Sequence, residues 1–130
     1  MKQFVTLALL VTLIGCNNSV RAPKVGRDDP YEAQQMHFAS EELRHDTAVG
    51  KPIVSRDLAG LLFVSVPVRS AIDKTLYVDY RVTFYDQTGQ EVGKTSWSHM
   101  TLESNVPQRV TVNSTTTRAT DFQMDFRYSR

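Results

Sequence analysis

The sequence predicts an all-β fold: an antiparallel immunoglobulin-like β-sandwich of about seven short strands, placed after a signal peptide and a flexible tether. Three observations carry this. Apolar and polar residues alternate without a break from Leu76 to Tyr85. Shorter alternating runs recur near Leu62–Val68, Gln108–Ser114 and Asp121–Tyr128, with turn-forming residues between them. No segment shows a convincing helical spacing of apolar residues. A small barrel is the alternative arrangement of the same strands.

The first 15 residues read as a signal peptide. Lys2 and the amino terminus form a positive head. Phe4 to Ile14 is apolar except for Thr6 and Thr12, and Gly15 stands at the cleavage point. The run is shorter than the ~20 apolar residues a membrane span needs. Leu13-Ile14-Gly15-Cys16 resembles the lipobox of bacterial lipoproteins. The resemblance implies cleavage after Gly15 and acylation of Cys16, the sole cysteine in the chain. Each buried methylene contributes roughly 0.8 kcal/mol, so several acyl chains make a lasting anchor where one would bind only marginally. In lipoproteins of this kind an aspartate after the cysteine favours the inner membrane. Asn17 therefore points to the periplasmic side of the outer membrane, with the inner membrane as the alternative.

Residues 16–34 read as the lipidated cysteine and its tether. Pro23, Gly26, Asp28, Asp29 and Pro30 interrupt any apolar periodicity. The stretch from Asn17 to Gln34 could reach at most roughly 60 Å. Removing the first 15 of 130 residues takes away Lys2 and leaves 14 basic against 14 acidic side chains. A neutral chain lacks the basic footprint of a nucleic-acid partner. With its lone thiol acylated it forms no disulfide either, so a single hydrophobic core over residues 35–130 must hold the domain.

Within that domain, Met36–Ser40 reads as an edge strand followed by a turn, with a short helix as the competing reading of the segment to Val49. Gly50 and Pro52 punctuate, and Ile53-Val54 make a short strand. Leu62, Val64, Val66 and Val68 share one face of the next strand, and Pro67 on the other face suggests a sheet edge or a bulge. The strand Leu76–Tyr85 follows. It puts Leu76, Val78, Tyr80, Val82 and Phe84 inward, and Tyr77, Asp79, Arg81, Thr83 and Tyr85 outward. Gln87-Thr88-Gly89 suits a tight turn with Gly89 at positive φ. Short strands at Glu91–Lys94, Trp97–Leu102 and Gln108–Ser114 come next, then a Thr-rich loop to Thr120. A last strand directs Phe122, Met124, Phe126 and Tyr128 inward. Trp97 reads as a pin of the core, a surface recognition role being the alternative.

The run Tyr80-Arg81-Val82-Thr83-Phe84-Tyr85-Asp86-Gln87-Thr88-Gly89-Gln90-Glu91 resembles the signature of the YcfL-like family of small Gram-negative lipoproteins. The lipobox, the chain length, the apolar strand at Leu61–Val68 and the aromatic last strand are also similar. The resemblance implies a cell-envelope lipoprotein with a sandwich domain. It brings no catalytic residues, because that family has no established activity. It also hints at the neighbourhood of an outer-membrane activator of peptidoglycan synthesis.

Catalytic and metal motifs are missing from the sequence. There is no nucleophile elbow, no paired-histidine zinc motif and no phosphate-binding glycine loop. His37, His45 and His99 lack ligand spacing, and His45-Asp46 reads as a solvated turn. Asp121 and Asp125 alternate outward on one strand rather than facing each other across a cleft. The expectation is a non-enzymatic, membrane-anchored envelope lipoprotein without cofactor or metal, binding an envelope protein of unknown identity. The candidate partner-binding face is Tyr77, Arg81 and Tyr85, since Tyr and Arg are enriched in binding hot spots. A glycan or peptidoglycan-fragment module is the alternative, and it would need Trp97, Tyr77 and Tyr85 to form an open aromatic platform.

Overall fold

The computed structural model describes residues 35–130. The signal-peptide, Cys16 and tether readings lie outside those residues. The described chain holds nine strands and one short helix, in the order β1 (Met36–Phe38), α1 (Glu41–Asp46), β2 (Thr47–Val49), β3 (Ile53–Arg56), β4 (Leu62–Ser70), β5 (Leu76–Tyr85), β6 (Glu91–Lys94), β7 (Ser98–Leu102), β8 (Gln108–Asn113) and β9 (Asp121–Tyr128).

Two sheets form a sandwich. One has the order β1-β9-β5-β6, with β7 also on β5. β9 takes one whole edge of β5, from Val78 to Tyr85. β7 and β6 divide the other edge, against Leu76–Tyr80 and Thr83–Tyr85 respectively. The second sheet has β4 at its centre, with β8 on one side and β2 and β3 end to end on the other. The pairings between these strands are antiparallel except β1 on β9, and an isolated parallel bridge joins Ser70 to Ser104. Period-two alternation gives each sheet an apolar inner face. Val64, Val66 and Val68 from β4 meet Val78, Val82, Phe84, Phe122, Met124 and Phe126 in one shared core. Phe38 stacks on Phe126 with centroids 5.2 Å apart.

Three local expectations change. The segment after β1 is a helix, not a turn. The Ser40 hydroxyl accepts the Leu43 N–H at 3.2 Å, capping the N-terminus, and Leu43 is fully buried in the core. The helix stops at Thr47, whose extended backbone begins β2 and whose hydroxyl and N–H both bond the Leu43 carbonyl. Second, Asp46 is not in a solvated turn. It is buried, hydrogen-bonded to His45 at 2.9 Å and accepting from the Tyr128 hydroxyl at 2.9 Å.

Third, Pro67 lies in the central strand rather than at an edge or bulge. It is tolerated because it falls opposite the gap between β2 and β3. There its carbonyl accepts from the Gly50 N–H at 2.8 Å, and the one bond lost with the proline N–H, back to the Gly50 carbonyl, falls just past the end of β2. A β-carbon on Gly50 would lie 2.5 Å from the Pro67 ring, so the glycine permits the approach.

Two hairpin turns follow one chemical recipe. Asp57 and Asp86 each accept two backbone N–H groups through Oδ1, those of Ala59 and Leu61 in one turn and of Thr88 and Gln90 in the other. Gly60 and Gly89 then take φ of 79° and 81°. The sequence announces the second turn through Gln87-Thr88-Gly89, and the structure has it there.

Candidate interaction surface

The outer face of the five-stranded sheet carries the one dense cluster of charged and aromatic side chains that the candidate residues point to. Strand register builds it. Arg81 stands opposite Asp125 and Asp79 opposite Arg127, so each cross-strand pair joins opposite charges. Arg81 reaches Asp125 Oδ2 through Nε at 3.3 Å and Nη2 at 3.1 Å. Gln123 Nε2 donates to the other Asp125 oxygen at 2.9 Å. Arg127 Nε donates to Asp79 Oδ2 at 3.2 Å, and the Ser129 hydroxyl donates to Asp79 Oδ1 at 2.9 Å. His99 Nδ1 lies 2.8 Å from Ser129 Oγ, and its ring stacks on Tyr77 at 6.3 Å. Ser129, foremost, together with Arg127 and His99 holds the Asp79 carboxyl below the ordinary carboxylate range, against the opposing effect of burial.

Trp97 completes the cluster, and here the core-pin reading is corrected. Thr95 is tied to Val82 by two hydrogen bonds, N–H to carbonyl at 2.9 Å and N–H to hydroxyl at 3.0 Å. Ser98 pairs with Tyr80, so one step back along the register sets Trp97 beside Arg81 on the outer face. The Arg81 and Arg127 guanidinium carbons stand 4.4 and 4.0 Å from the indole centroid. Such contacts add roughly 0.5–1 kcal/mol each at partly exposed sites. Arg81, Trp97, Asp125, His37, Phe38 and Phe126 line an open hollow of about 210 Å³ beside β1.

The structure thus brings together two of the three residues singled out on this face. Tyr77 is 58 % exposed, and Arg81 joins it through the Asp79–Arg127–Trp97 network. Tyr85 does not join them. Eight residues along an extended strand put it about 26 Å from Tyr77, beside Asp121 and Glu91. The sequence reading gave Trp97 a surface role only as the alternative to a core pin, and it missed Arg127 and Ser129 as members. Their signal was the strand register, which requires the pairing partners of β5 to be known.

Other candidates disperse. Asp125 is occupied by Arg81, while Asp121 sits opposite Tyr85, so the two carboxylates do not converge. Among the described residues no group of three or more His, Cys, Asp or Glu could hold a metal ion, and no helix is long and apolar enough to cross a membrane.

Comparison with known proteins agrees with this architecture. A crystal structure of Campylobacter jejuni cj0090 is similar with a TM-score of 0.64 at 17% identity, covering 75% of this chain and 100% of that one. A crystal structure of a DUF1425 family member from Shewanella sp. pv-4 has a TM-score of 0.58 at 23% identity, covering 65% and 79%. At these identities the likeness concerns the fold alone. No curated protein matches the chain. The family model described as "Protein of unknown function (DUF1425)" matches residues 34–128, and the chain belongs to that family.

Proposed function

We propose that the chain is a YcfL-like lipoprotein of the cell envelope. Acyl chains on Cys16 hold it to the periplasmic side of the outer membrane, and it acts as a non-enzymatic module that binds another envelope protein. The observation that carries the binding role is the outer face of the five-stranded sheet. Exposed Tyr77, with Trp97 flanked by Arg81 and Arg127, presents the residue types that dominate protein–protein hot spots. Cross-strand ion pairs and a continuous ladder hold these side chains in place, which reduces the ordering cost of binding.

The glycan alternative is less well supported. Its open platform of Trp97, Tyr77 and Tyr85 does not assemble, because guanidinium groups lie against the indole, His99 stacks on Tyr77, and Tyr85 is distant. The test is cross-linking from intact membranes, comparing wild type with Tyr77→Ala and Arg81→Ala. A specific envelope protein captured by wild type and lost with either substitution is the expected result. Capture unaffected by both would place the interface elsewhere. Retention on insoluble peptidoglycan by the wild type alone would favour the glycan reading.

A further inference from the structure

β3 ends the four-stranded sheet. It pairs with β4 on one side, and among the described residues no strand pairs with its other side. The ladder's phase is fixed by the bond from the Asp57 N–H to the Leu61 carbonyl. Bonded pairs alternate in an antiparallel ladder, so Ser55 and Ile53 also bond toward β4. Val54 and Arg56 therefore turn their N–H and C=O groups outward. All four residues of β3 are exposed, with Ile53 at 51 % and Val54 at 48 %. An edge of this kind is a template for another strand.

We propose that β3 pairs antiparallel with β3 of a second copy of this chain, about a two-fold axis through Val54, joining two four-stranded sheets into one. A two-fold contact requires a self-complementary patch, and this register supplies one. Val54 faces Val54, each donating its N–H to the other's carbonyl. Pro52 falls opposite Arg56, where the bond between the strands runs from the Arg56 N–H to the Pro52 carbonyl. The reciprocal bond to the Arg56 carbonyl is absent at both ends because proline has no N–H, so the central Val54 pair and these two single bonds form the ladder. Lys51 falls opposite Asp57 at both ends of the contact, pairing opposite charges twice. The Asp57 side chain is fixed at the strand end by the N–H groups of Ala59 and Leu61 and by Asn113 Nδ2. Moving the axis one residue, to Ser55, would set Asp57 against Ile53 and Lys51 against Ala59, losing both charge pairs. The charges thus select the Val54 register.

Disulfide trapping tests this on the full chain carrying Cys16→Ser, so that an introduced thiol is the sole one and the result does not depend on acylation. Paired Cα atoms in a hydrogen-bonded antiparallel pair lie about 5.5 Å apart, within the range a disulfide spans. With Val54→Cys, mild oxidation is expected to give a covalent dimer of roughly doubled mass. Thr111→Cys, exposed on the opposite edge strand β8, should stay monomeric. Light scattering of the chain with Val54 intact should show a concentration-dependent dimer, lost with Val54→Lys, which brings two ammonium groups face to face. Equal cross-linking at positions 54 and 111, cross-linking at neither, or a chain monomeric at every concentration would overturn the proposal. The last two outcomes would leave the edge to another protein or to the chain's own N-terminal residues.

Discussion

Phe126 shows how one side chain couples the interior to the candidate surface. Its ring is 1 % exposed and stacks on Phe38, and its strand neighbours Asp125 and Arg127 point the other way into the ion-pair cluster. Phe126→Ala leaves a cavity between the sheets and is expected to cost about 3–5 kcal/mol in chemical denaturation. Asp46 supplies the pH-dependent counterpart. Burial alone would raise its carboxyl, but the hydrogen bonds with His45 and Tyr128 outweigh it and hold the group below its ordinary value of 3.8. A carboxylate with a depressed folded value stabilises fully above its unfolded value and loses that contribution as the pH falls through the folded one. Wild-type stability is therefore expected to drop on acidification below 3.8. Asp46→Asn should lower stability at neutral pH and give a shallower acid limb, read from urea midpoints across a pH series. An identical acid limb in both proteins would remove Asp46 from the account.

At the scale of elements, the two Asp-x-x-Gly turns set the hairpin registers of both sheets. Gly89 has φ of 81°, and nothing lies within 4 Å of where a β-carbon would stand, so a substitution there meets only backbone strain. Gly89→Ala is expected to cost about 1–2 kcal/mol for the left-handed conformation alone, measured as a lowered unfolding midpoint with an unchanged denaturant slope. A neutral result would show that the β5–β6 turn relaxes to another type. These elements were legible in the sequence to different degrees. β5 and β9 stand where alternation places them, because each buries one face more than the other, and β6 stands where the Gly89 turn returns the chain. The helix α1 stood only as the competing reading because its six residues bury only Leu43 and Asp46, too few to show a helical period. Trp97 was misplaced because an isolated large aromatic defaults to the interior. Its actual side follows from the Tyr80–Ser98 pairing, which is a contact between distant parts of the chain.

The whole molecule joins a two-sheet core to an N-terminal sequence that reads as a lipoprotein leader. The long alternating strands made the sandwich readable in advance. The count rose from about seven strands to nine: β1 lies within the expected edge strand Met36–Ser40, whereas β2, three residues long, is too short to display a period. The candidate surface was half legible. Tyr77 and Arg81 follow from the parity of one strand, whereas their partners arrive from β9 and the β6–β7 connection. The account of function depends on the chain being held at a membrane, where even a small contact face gains from a high local concentration. Intact-mass measurement of the wild-type protein extracted from the membrane fraction, beside Cys16→Ser, tests that most directly. The account predicts a wild-type mass lacking residues 1–15 and increased by acyl groups, and a Cys16→Ser chain that carries no acyl mass and leaves the processed membrane pool. A wild-type protein that is soluble and carries no acyl mass would contradict it.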